Sequence, residues 1–364
     1  MIAVGLKKYD GSSVTEGTTY QNIPSRPDIP FHRGRSEQRA ERICELVDVK
    51  GKRVLDLGCS VGTMSNVLNK NGAHVIGVDH DDESIILGRS VYPDVHFEKK
   101  TIDMGLLDYM NDFDIVIWTS QFMWMAKQHG MDTALEFLWK LSTKCDVLVF
   151  ESAGVNDGDA PTNIRQEEYF KLLCKNTCFQ DITDHGPWND GWTPRNVFVC
   201  KNPFKGHEGQ WSRVELAGHG KVKKVFKDNP FSKELKKREY EALETLRAHT
   251  HYPTVIHSDE DSITMTWRGI KAKWISEFDL IEIVSELDDN KIVHRDVKPD
   301  NLLWDGENLT LIDFSFSTIG KETTNYHYDL GGKYKCSYGF NDEYSLRKIQ
   351  LELMGRNVRE EKYI

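Results

Sequence analysis

The apolar positions in the first half of the chain predict strands that alternate with helices. Apolar runs at 54–57, 75–78 and 113–118 predict buried strands, and helical spacing after Ser36, which we expect to cap the helix, predicts a helix before the first of them. Helices at 133–141 and 165–173 and strands at 147–150 and 197–199 are also expected. Strands that alternate with helices predict a doubly wound, Rossmann-like α/β domain.

After residue 203 the order of elements changes. A strand, a glycine turn and a strand over 211–226 precede a long helix over 232–249, strands at 254–257 and 262–266, and a helix at 277–287. Two further short strands flank an Asp-Gly turn at 305–306. This order predicts a compact α+β domain.

Composition sets the domain count and narrows the functional class. A chain of 364 residues favours two domains, here 37–203 and 204–364, after an irregular arm over 1–36 that is rich in Gly, Ser, Thr and Pro. The net charge of -10 argues against a nucleic-acid coat. Seven cysteines without a C-x-x-C pair indicate neither a disulfide framework nor a zinc site.

The distribution of apolar residues along the sequence shows neither a membrane span nor a targeting signal. No apolar run approaches the roughly 20 residues that span a bilayer, and the first residues lack the apolar core of a signal peptide. We therefore expect a cytoplasmic protein, with any membrane association peripheral and made through a partner.

The stretch IVHRDVKPDNLLWDGENLTLIDFS carries the strongest chemical signal. In phosphoryl transfer, the aspartate of an H-R-D-x-x-x-x-N loop accepts the proton of the attacking hydroxyl, while the asparagine and a later aspartate hold Mg²⁺. These roles fall to Asp296, Asn301 and Asp313, and Lys298 lies beside the base. The stretch predicts a kinase that uses ATP and Mg²⁺.

A lysine and a glutamate upstream complete this prediction. Leu235, Glu239 and Ala242 share one helix face, so Glu239 lies on an apolar stripe and needs a cation. Lys224, on the preceding strand, supplies that cation and is expected to bind the α- and β-phosphates. The nucleotide-covering loop is expected over 205–209, although it matches G-x-G-x-x-G poorly.

A glycine loop in the first domain predicts a nucleoside site. Gly58 and Gly62 follow a strand and are expected to let the backbone approach the ligand, and Asp79, about 20 residues on, can accept the ribose hydroxyls. A dinucleotide loop needs a glycine at position 60, which is serine here. The segment, with Asp56 two residues before Gly58, resembles motif I of class I S-adenosylmethionine (SAM) methyltransferases.

This resemblance implies SAM as the cofactor and a particular set of contacts. Asp103 would meet the adenine amino group, and Cys59, His80 and Ser120 would belong to the cofactor site. The segment after Ser120 lacks the N/D-P-P-Y/F motif of base and glutamine methyltransferases, so no nucleic-acid partner is expected. His129 is either a general base or a structural loop histidine. Trp188 and Trp192, expected in the loop HGPWNDGWTPR with Arg195, either line an acceptor pocket or belong to the core.

The order of the two domains carries a further resemblance. The order of the domains is similar to that of the bifunctional kinase/methyltransferases that terminate bacterial O-antigen polysaccharides. The resemblance is also carried by the segments TYQNI, VLDLGC, TPRNVFV and LIDF. The resemblance implies phosphorylation of a terminal sugar, methylation of that phosphate, and an acceptor site of four residues. Those residues are Tyr20, Arg39, His129 and Arg195.

The chain also departs from that family. It ends about 50 residues after Asp313, without a long C-terminal helical region, Ser315 replaces the glycine of D-F-G, and paired histidines are lacking after Phe122. Two alternatives therefore stay open. One is an independent small-molecule O-methyltransferase fused to a protein kinase, although the second domain of about 160 residues lacks an A-P-E motif. The other is a regulatory scaffold. The acceptor, glycan or small molecule, and the oligomeric state are left open.

Overall fold

The computed structural model describes residues 18–110, 112–153, 164–189, 194–320, 330, 332–336 and 340–356. They form two compact units. The first, unit 1, comprises the described part of Met1–Leu173 with Asp181–Pro203, and the second, unit 2, comprises Cys174–Gln180 with the described part of Phe204–Ile364. The domain limits given above remain predictions.

The N-terminal segment is more ordered than its composition predicts. Strands β1 (Thr19–Gln21) and β2 (Phe31–Arg33) pair in parallel within the segment expected to be irregular. Helix α1 (Ser36–Leu46) begins where expected, but the expectation that Ser36 caps it is wrong. Arg35, in a left-handed conformation, is the capping residue, and the Ser36 N–H donates to Asn22 Oδ1 at 3.3 Å.

Unit 1 is built on a seven-stranded sheet with the order β5-β4-β3-β6-β7-β9-β8. Strands β3 to β7 run parallel, and β9 pairs with β7 in the antiparallel direction. The central strands are continuous apolar runs because both faces are buried. The strands are β3 (Arg53–Leu57), β4 (His74–Asp79), β5 (His96–Lys99), β6 (Phe113–Thr119), β7 (Cys145–Glu151), β8 (Phe179–Asn189) and β9 (Pro194–Pro203).

Helices between these strands confirm the doubly wound α/β prediction, with two differences. Residues around Trp188, expected in a loop, belong to β8, and His129 ends a helix rather than lying in a loop. The helices are α2 (Thr63–Lys70), α3 (Asp82–Val91), α4 (Met104–Tyr109), α5 (Phe122–His129), α6 (Met131–Ser142) and α7 (Gln166–Asn176).

The N-terminal part of unit 2 is a five-stranded antiparallel sheet with the order β10-β11-β12-β14-β13, packed against helix α8. Helix α8 (Pro230–Thr245) begins two residues before the predicted start, because Asn229 caps it by accepting the Ser232 N–H at 2.9 Å. The expected covering loop falls partly in the sheet, since its residues 207 and 208 form β10. The strands are β10 (His207–Glu208), β11 (Ser212–Leu216), β12 (Lys221–Phe226), β13 (Val255–Ser258) and β14 (Ser262–Thr266).

The rest of unit 2 contains the predicted helix and hairpin. Strands β17 and β18 pair around the Asp-Gly turn as expected, and Asp305 Oδ1 accepts the N–H groups of Glu307 and Asn308. The elements are β15 (Ile270–Lys271), α9 (Glu277–Asp289), β16 (Ile292–Val293), β17 (Leu302–Trp304), β18 (Leu309–Leu311), β19 (Thr318–Ile319) and α10 (Asp342–Leu353).

Two further expectations concern cysteines and membranes. The seven cysteines are free thiols, five of them buried, in agreement with the absence of a predicted disulfide framework. Within the described ranges, none of the helices has both the length and the apolar character required to cross a bilayer.

Candidate active sites

Lys224 on β12 lies at the centre of a buried polar cluster in unit 2. Its Nζ is 2.5 Å from Glu239 Oε2 on α8, 2.7 Å from Asp313 Oδ1 and 2.9 Å from Ser315 Oγ. The Ser315 hydroxyl in turn donates to Glu239 Oε2 at 2.7 Å. The structure therefore brings together the lysine and glutamate expected from sequence and adds a serine that the sequence did not assign.

The charges in this cluster shift one another's pKa values. Burial acts to lower the pKa of Lys224, but Asp313 and Glu239 outweigh it, so that this pKa lies above its ordinary value. Burial acts to raise the pKa of Asp313, but the Lys224 ammonium holds it well below its usual range. For Glu239, burial prevails and raises the pKa. The cluster thus contains a firmly protonated lysine and an ionised Asp313.

The predicted H-R-D-x-x-x-x-N loop, residues 294–301, is called the catalytic loop below. It is held by a residue far along the chain. Asp342, at the start of α10, accepts the N–H of His294 at 2.6 Å and that of Arg295 at 3.1 Å. Arg295 has a positive φ of 71°, and His294 Nε2 lies 3.0 Å from Ile312 O. Burial raises the pKa of Asp342. Sequence analysis missed this residue because only the tertiary fold brings α10 to the loop.

Asp296, Lys298 and Asn301 lie together, as their spacing predicts. Asp296 Oδ2 accepts hydrogen bonds from Lys298 Nζ at 2.7 Å and from Asn301 Nδ2 at 3.4 Å. The Asn301 amide also donates to Asp296 O at 2.9 Å. Because the Asn301 side-chain nitrogen donates to Asp296, the side-chain oxygen of Asn301 is left as an acceptor.

The residues predicted to hold Mg²⁺ have suitable chemistry. The Ile312 N–H donates to Asn301 O at 2.9 Å, and Asp313 is the residue that follows Ile312. The backbone of Asp313 is left-handed, with φ 68°. Amide and carboxylate oxygens are the hard donors that Mg²⁺ prefers, and waters and phosphate oxygens commonly supply its remaining ligands. Within the described ranges no group of three or more His, Cys, Asp or Glu is arranged for a metal ion.

In unit 1 the glycine loop is tied to the end of β4. The N–H groups of Gly58 and Cys59 donate to Val78 O, and the Ser60 N–H donates to Asp79 Oδ2 at 2.8 Å. Gly58, Ser60 and Gly62 have φ values of 79°, 51° and 80°. Hydrogen bonds to the end of β4 therefore hold the loop at the carboxyl edge of the sheet.

The conformation and packing of the loop favour glycine at positions 58 and 62. A Cβ on Gly58 would lie 2.4 Å from Gln121 Nε2, and one on Gly62 would lie 2.2 Å from the Phe97 ring. Both positions also have left-handed backbones, which disfavour other residues. Packing within the protein and backbone conformation thus both favour glycine at these positions, and approach of a ligand to the loop backbone stays a prediction.

The other predicted cofactor residues differ in how accessible their polar groups are. The Cys59 thiol is buried and its pKa is raised by burial, and the N–H, C=O and Sγ of this residue all have partners within the protein. Asp56 is buried beneath the loop, where it accepts from Ser65 Oγ at 2.6 Å, and burial raises its pKa to about 6. Asp103 is exposed and caps α4 through Leu106 N–H.

Asp79 and Ser60 fit a ribose and a bound cofactor. Asp79 Oδ1 accepts from Asp81 N–H and lies 3.1 Å from His80 Nδ1, whose pKa is raised by this hydrogen bond. Oδ2 accepts only the Ser60 N–H within the described residues, so it retains a lone pair for a hydroxyl. Ser60 Oγ is buried with no hydrogen-bond partner in the described structure, which marks it as a group awaiting a ligand.

A second polar cluster lies at the carboxyl ends of β6 and β7. Arg39 Nη2 donates to Glu151 Oε2 at 2.6 Å, Ser120 Oγ donates to the same oxygen at 2.7 Å, and Arg195 Nη1 lies 3.4 Å from it. Arg195 Nη1 also donates to Ser120 Oγ. Ser120 has a positive φ of 59°, and Glu151 is 2 % exposed. Glu151, which sequence analysis did not assign, therefore holds both arginines.

Trp188 lies beside this cluster. It lines a small recess with Arg39 and Glu151, and its Nε1 is buried without a hydrogen-bond partner among the described residues. Tyr20 is 39 % exposed, and His129 is exposed at the end of α5. Trp192 lies outside the described residues. Of the predicted acceptor residues, the structure thus brings Arg39 and Arg195 into direct contact with one carboxylate.

Family models match both units. The model described as "Methyltransferase domain" matches residues 54–141, and the model described as "Phosphotransferase enzyme family" matches residues 271–332. The chain carries a methyltransferase domain and a phosphotransferase-type kinase domain. The first match contains the glycine loop and Asp79, and the second contains Asp296, Asn301 and Asp313.

The relatives of this chain include a bifunctional methyltransferase/kinase and a methyltransferase. The O-antigen chain terminator bifunctional methyltransferase/kinase WbdD of Escherichia coli is 26 % identical over 176 residues, which cover 42 % of this chain and 25 % of the relative. The match therefore spans a quarter of that relative's length. The ribosomal protein L11 methyltransferase of Phocaeicola vulgatus is 31 % identical over 109 residues, covering 28 % of this chain and 38 % of the relative. A crystal structure of WbdD aligns with a TM-score of 0.44 and 19 % identity, covering 83 % of this chain and 80 % of that one.

Proposed function

We propose that this chain phosphorylates a hydroxyl of a glycan with ATP and then methylates the resulting phosphate with SAM. The order of domains and the similarity to a chain terminator that is both methyltransferase and kinase support the pairing of activities. The observation that carries the proposal is the pair of arginines around Glu151, because guanidinium groups bind phosphate through paired hydrogen bonds. A cytoplasmic location, where ATP and SAM are made, belongs to this proposal.

The kinase step assigns roles to residues of unit 2. When bound, ATP supplies the phosphoryl group and Mg²⁺ neutralises its charge. Lys224, held by Glu239, would bind the α- and β-phosphates, and Asn301 and Asp313 would hold the metal. The acceptor oxygen bonds to phosphorus as the bond to the β-phosphate oxygen breaks, and its proton passes to Asp296. Lys298, 2.7 Å from Asp296, places a positive charge beside the reacting groups.

The methyl step needs positioning more than it needs a base. SAM, when bound, supplies a methyl group on a positive sulfur, and the bond between the methyl carbon and that sulfur would break as the phosphate oxygen bonds to the carbon, which leaves S-adenosylhomocysteine. A phosphate monoester is mostly dianionic near pH 7, since its second pKa is about 6, so its oxygen attacks without losing a proton. Arg39 uses only Nη2 in the described hydrogen bonds and retains N–H groups for an anion, and the Trp188 N–H is a further donor. These donors would fix the phosphate, and such positioning lowers the barrier.

One observation keeps a protein substrate under consideration for the kinase. Lys298 in contact with Asp296 is the arrangement of protein-kinase catalytic loops. A protein kinase fused to an independent O-methyltransferase is therefore the second candidate. It predicts methylation of a small molecule that does not depend on prior phosphorylation.

Mass spectrometry of a candidate glycan, incubated with ATP, with SAM and with both, tests the proposal. We expect a gain of phosphate with ATP and a further methyl group only with both. Methylation with SAM alone, or equal methylation of a free hydroxyl and its phosphate ester, would contradict the coupled reaction and favour the second candidate.

A further inference from the structure

Ser315 occupies the position where kinases have the glycine of D-F-G. It lies in a 3-10 turn over Phe314–Phe316 and is 4 % exposed. The left-handed backbone of this segment is at Asp313, and Ser315 is not among the described residues with positive φ. A side chain at position 315 therefore causes no backbone strain.

The hydrogen bonds of Ser315 have only one consistent direction. Lys224 is an ammonium and can only donate, so Ser315 Oγ accepts from it at 2.9 Å. The single hydroxyl proton is then donated to Glu239 Oε2, at 2.7 Å. The hydroxyl thus bridges the two members of the ion pair on which nucleotide binding is expected to depend.

We propose that Ser315 is a positioning residue that keeps Glu239, and through it Lys224, in place for the nucleotide phosphates. The inference rests on the proposed kinase function and adds a residue to it. The three ammonium protons of Lys224 match three acceptors: Glu239, Asp313 and Ser315. A phosphate oxygen must share or replace one of them, and the uncharged hydroxyl is the weakest of the three.

The bridge is more important for Glu239 than for Lys224. The Lys224 side chain is 8 % exposed and contacts Asp313, whose side chain is 35 % exposed. Water cannot readily reach Glu239, whose side chain is 2 % exposed. When a phosphate draws Lys224 towards it, Ser315 is the remaining described donor that holds the Glu239 carboxylate. Loss of the hydroxyl therefore weakens the nucleotide-bound state more than the free state.

The turn that contains Ser315 also contacts α8 through Arg238, and its C-cap residue, Ser317, supplies a control variant. Arg238 Nη1 donates to Ser317 O at 3.1 Å, next to the bond that Glu239 receives. The Ser317 hydroxyl is equally buried but donates to Phe314 O at 2.7 Å, away from Lys224. Ser317→Ala keeps the carbonyl and removes a hydroxyl of the same kind from the same turn.

Calorimetric titration of the full chain with ATP and Mg²⁺ tests the inference. Ser315→Ala removes a hydrogen bond to a charged group, so the substitution is expected to weaken binding at least about tenfold. Ser315→Cys keeps the volume but replaces the hydroxyl with a weak donor, and the same loss is expected. Ser317→Ala is expected to change affinity less than about twofold.

A double-mutant cycle separates positioning from a general structural effect. If Ser315 acts through Glu239, Ser315→Ala has little further effect in a Glu239→Gln background. Wild-type affinity in both Ser315 variants, or an undiminished effect in the Glu239→Gln background, would overturn the inference. Failure of the wild-type chain to bind Mg²⁺ and ATP would instead overturn the kinase proposal and this inference with it.

Discussion

Arg39 Nη2 lies 2.6 Å from Glu151 Oε2, although the two residues are 112 positions apart in the chain. Arg39 comes from α1 and Glu151 from the last position of β7, so the contact joins the N-terminal helix to the carboxyl edge of the sheet. Both side chains are buried, and Arg195 reaches the same carboxylate. Removing one member of a buried ion pair leaves the other uncompensated, which makes this contact sensitive to substitution.

Arg195→Lys is expected to impair methyl transfer to a phosphorylated acceptor. Lysine keeps the charge but lacks the planar fork that binds carboxylate and phosphate through two hydrogen bonds. We expect kcat/KM for the phosphorylated acceptor to fall about tenfold or more, measured with labelled SAM. Arg42→Lys is the control, because Arg42 lines the recess beside Arg39 and Glu151 but pairs with Glu45 at the surface. An equal loss in both variants would contradict a specific role for Arg195.

Lys224→Met is expected to abolish nucleotide binding and phosphoryl transfer. The substitution removes the cation that both Glu239 and Asp313 contact, and breaking a buried pair costs about 3–5 kcal/mol. Lys223→Met is the matched control, since Lys223 is the adjacent strand residue and lies 3.6 Å from the half-exposed Asp259. Binding of ATP by calorimetry distinguishes the two variants. Retention of affinity by Lys224→Met would contradict its assignment.

Asp296→Asn is expected to separate chemistry from binding. The amide cannot accept a hydroxyl proton, so phosphorylation of the acceptor should fall at least about a hundredfold, within the range of general base effects. Affinity for ATP should stay within a few-fold of wild type. Asp300→Asn, four residues on and paired with Lys271 at the surface, should retain activity. Unchanged product formation by Asp296→Asn would favour a regulatory scaffold over an enzyme.

Asp56 is expected to make the stability of unit 1 depend on pH. Burial raises its folded-state pKa from 3.8 to about 6, so the folded state binds a proton more tightly than the unfolded state. The contribution of Asp56 to the free energy of unfolding is complete below the unfolded pKa and is lost as pH rises through about 6. The free energy of unfolding differs by about 3 kcal/mol between these two limits. Asp56→Asn is isosteric and cannot ionise, so its stability should decrease less between pH 4.5 and pH 7.5, an interval that begins above the unfolded pKa and therefore contains about 2 kcal/mol of this difference.

Urea unfolding read by hydrogen exchange of the β3 and β4 amides measures this effect and keeps the transition of unit 1 apart from that of unit 2. The surface variant Asp108→Asn should retain the wild-type dependence, because Asp108 lies on α4 with a 61 % exposed side chain. Identical pH profiles for the wild type and Asp56→Asn would show that Asp56 does not titrate in this range.

Most secondary structure followed from the spacing of apolar residues. The strand at 262–266 and the β17–β18 hairpin match their predicted positions, and the start of α9 does as well. Glu239 is buried on the inner face of α8, as its place in the apolar stripe predicts. Strand β8 and helix α5 were missed. Residues 185–189 have the Gly and Pro of a loop, and pairing with the neighbouring strand β9 overrides such local preferences.

By itself, the sequence determined the two fold types and the local chemistry, because helix and strand periodicities and the H-R-D-x-x-x-x-N spacing are properties of neighbouring residues. Only the tertiary structure decided which distant groups meet. Glu151 contacts two arginines that are 44 and 112 positions away. Asp342 contacts the catalytic loop across 47 to 48 positions. Ser315 contacts Glu239 and Lys224 across 76 and 91 positions. Such contacts depend on how whole elements pack, and no local pattern in the chain encodes them.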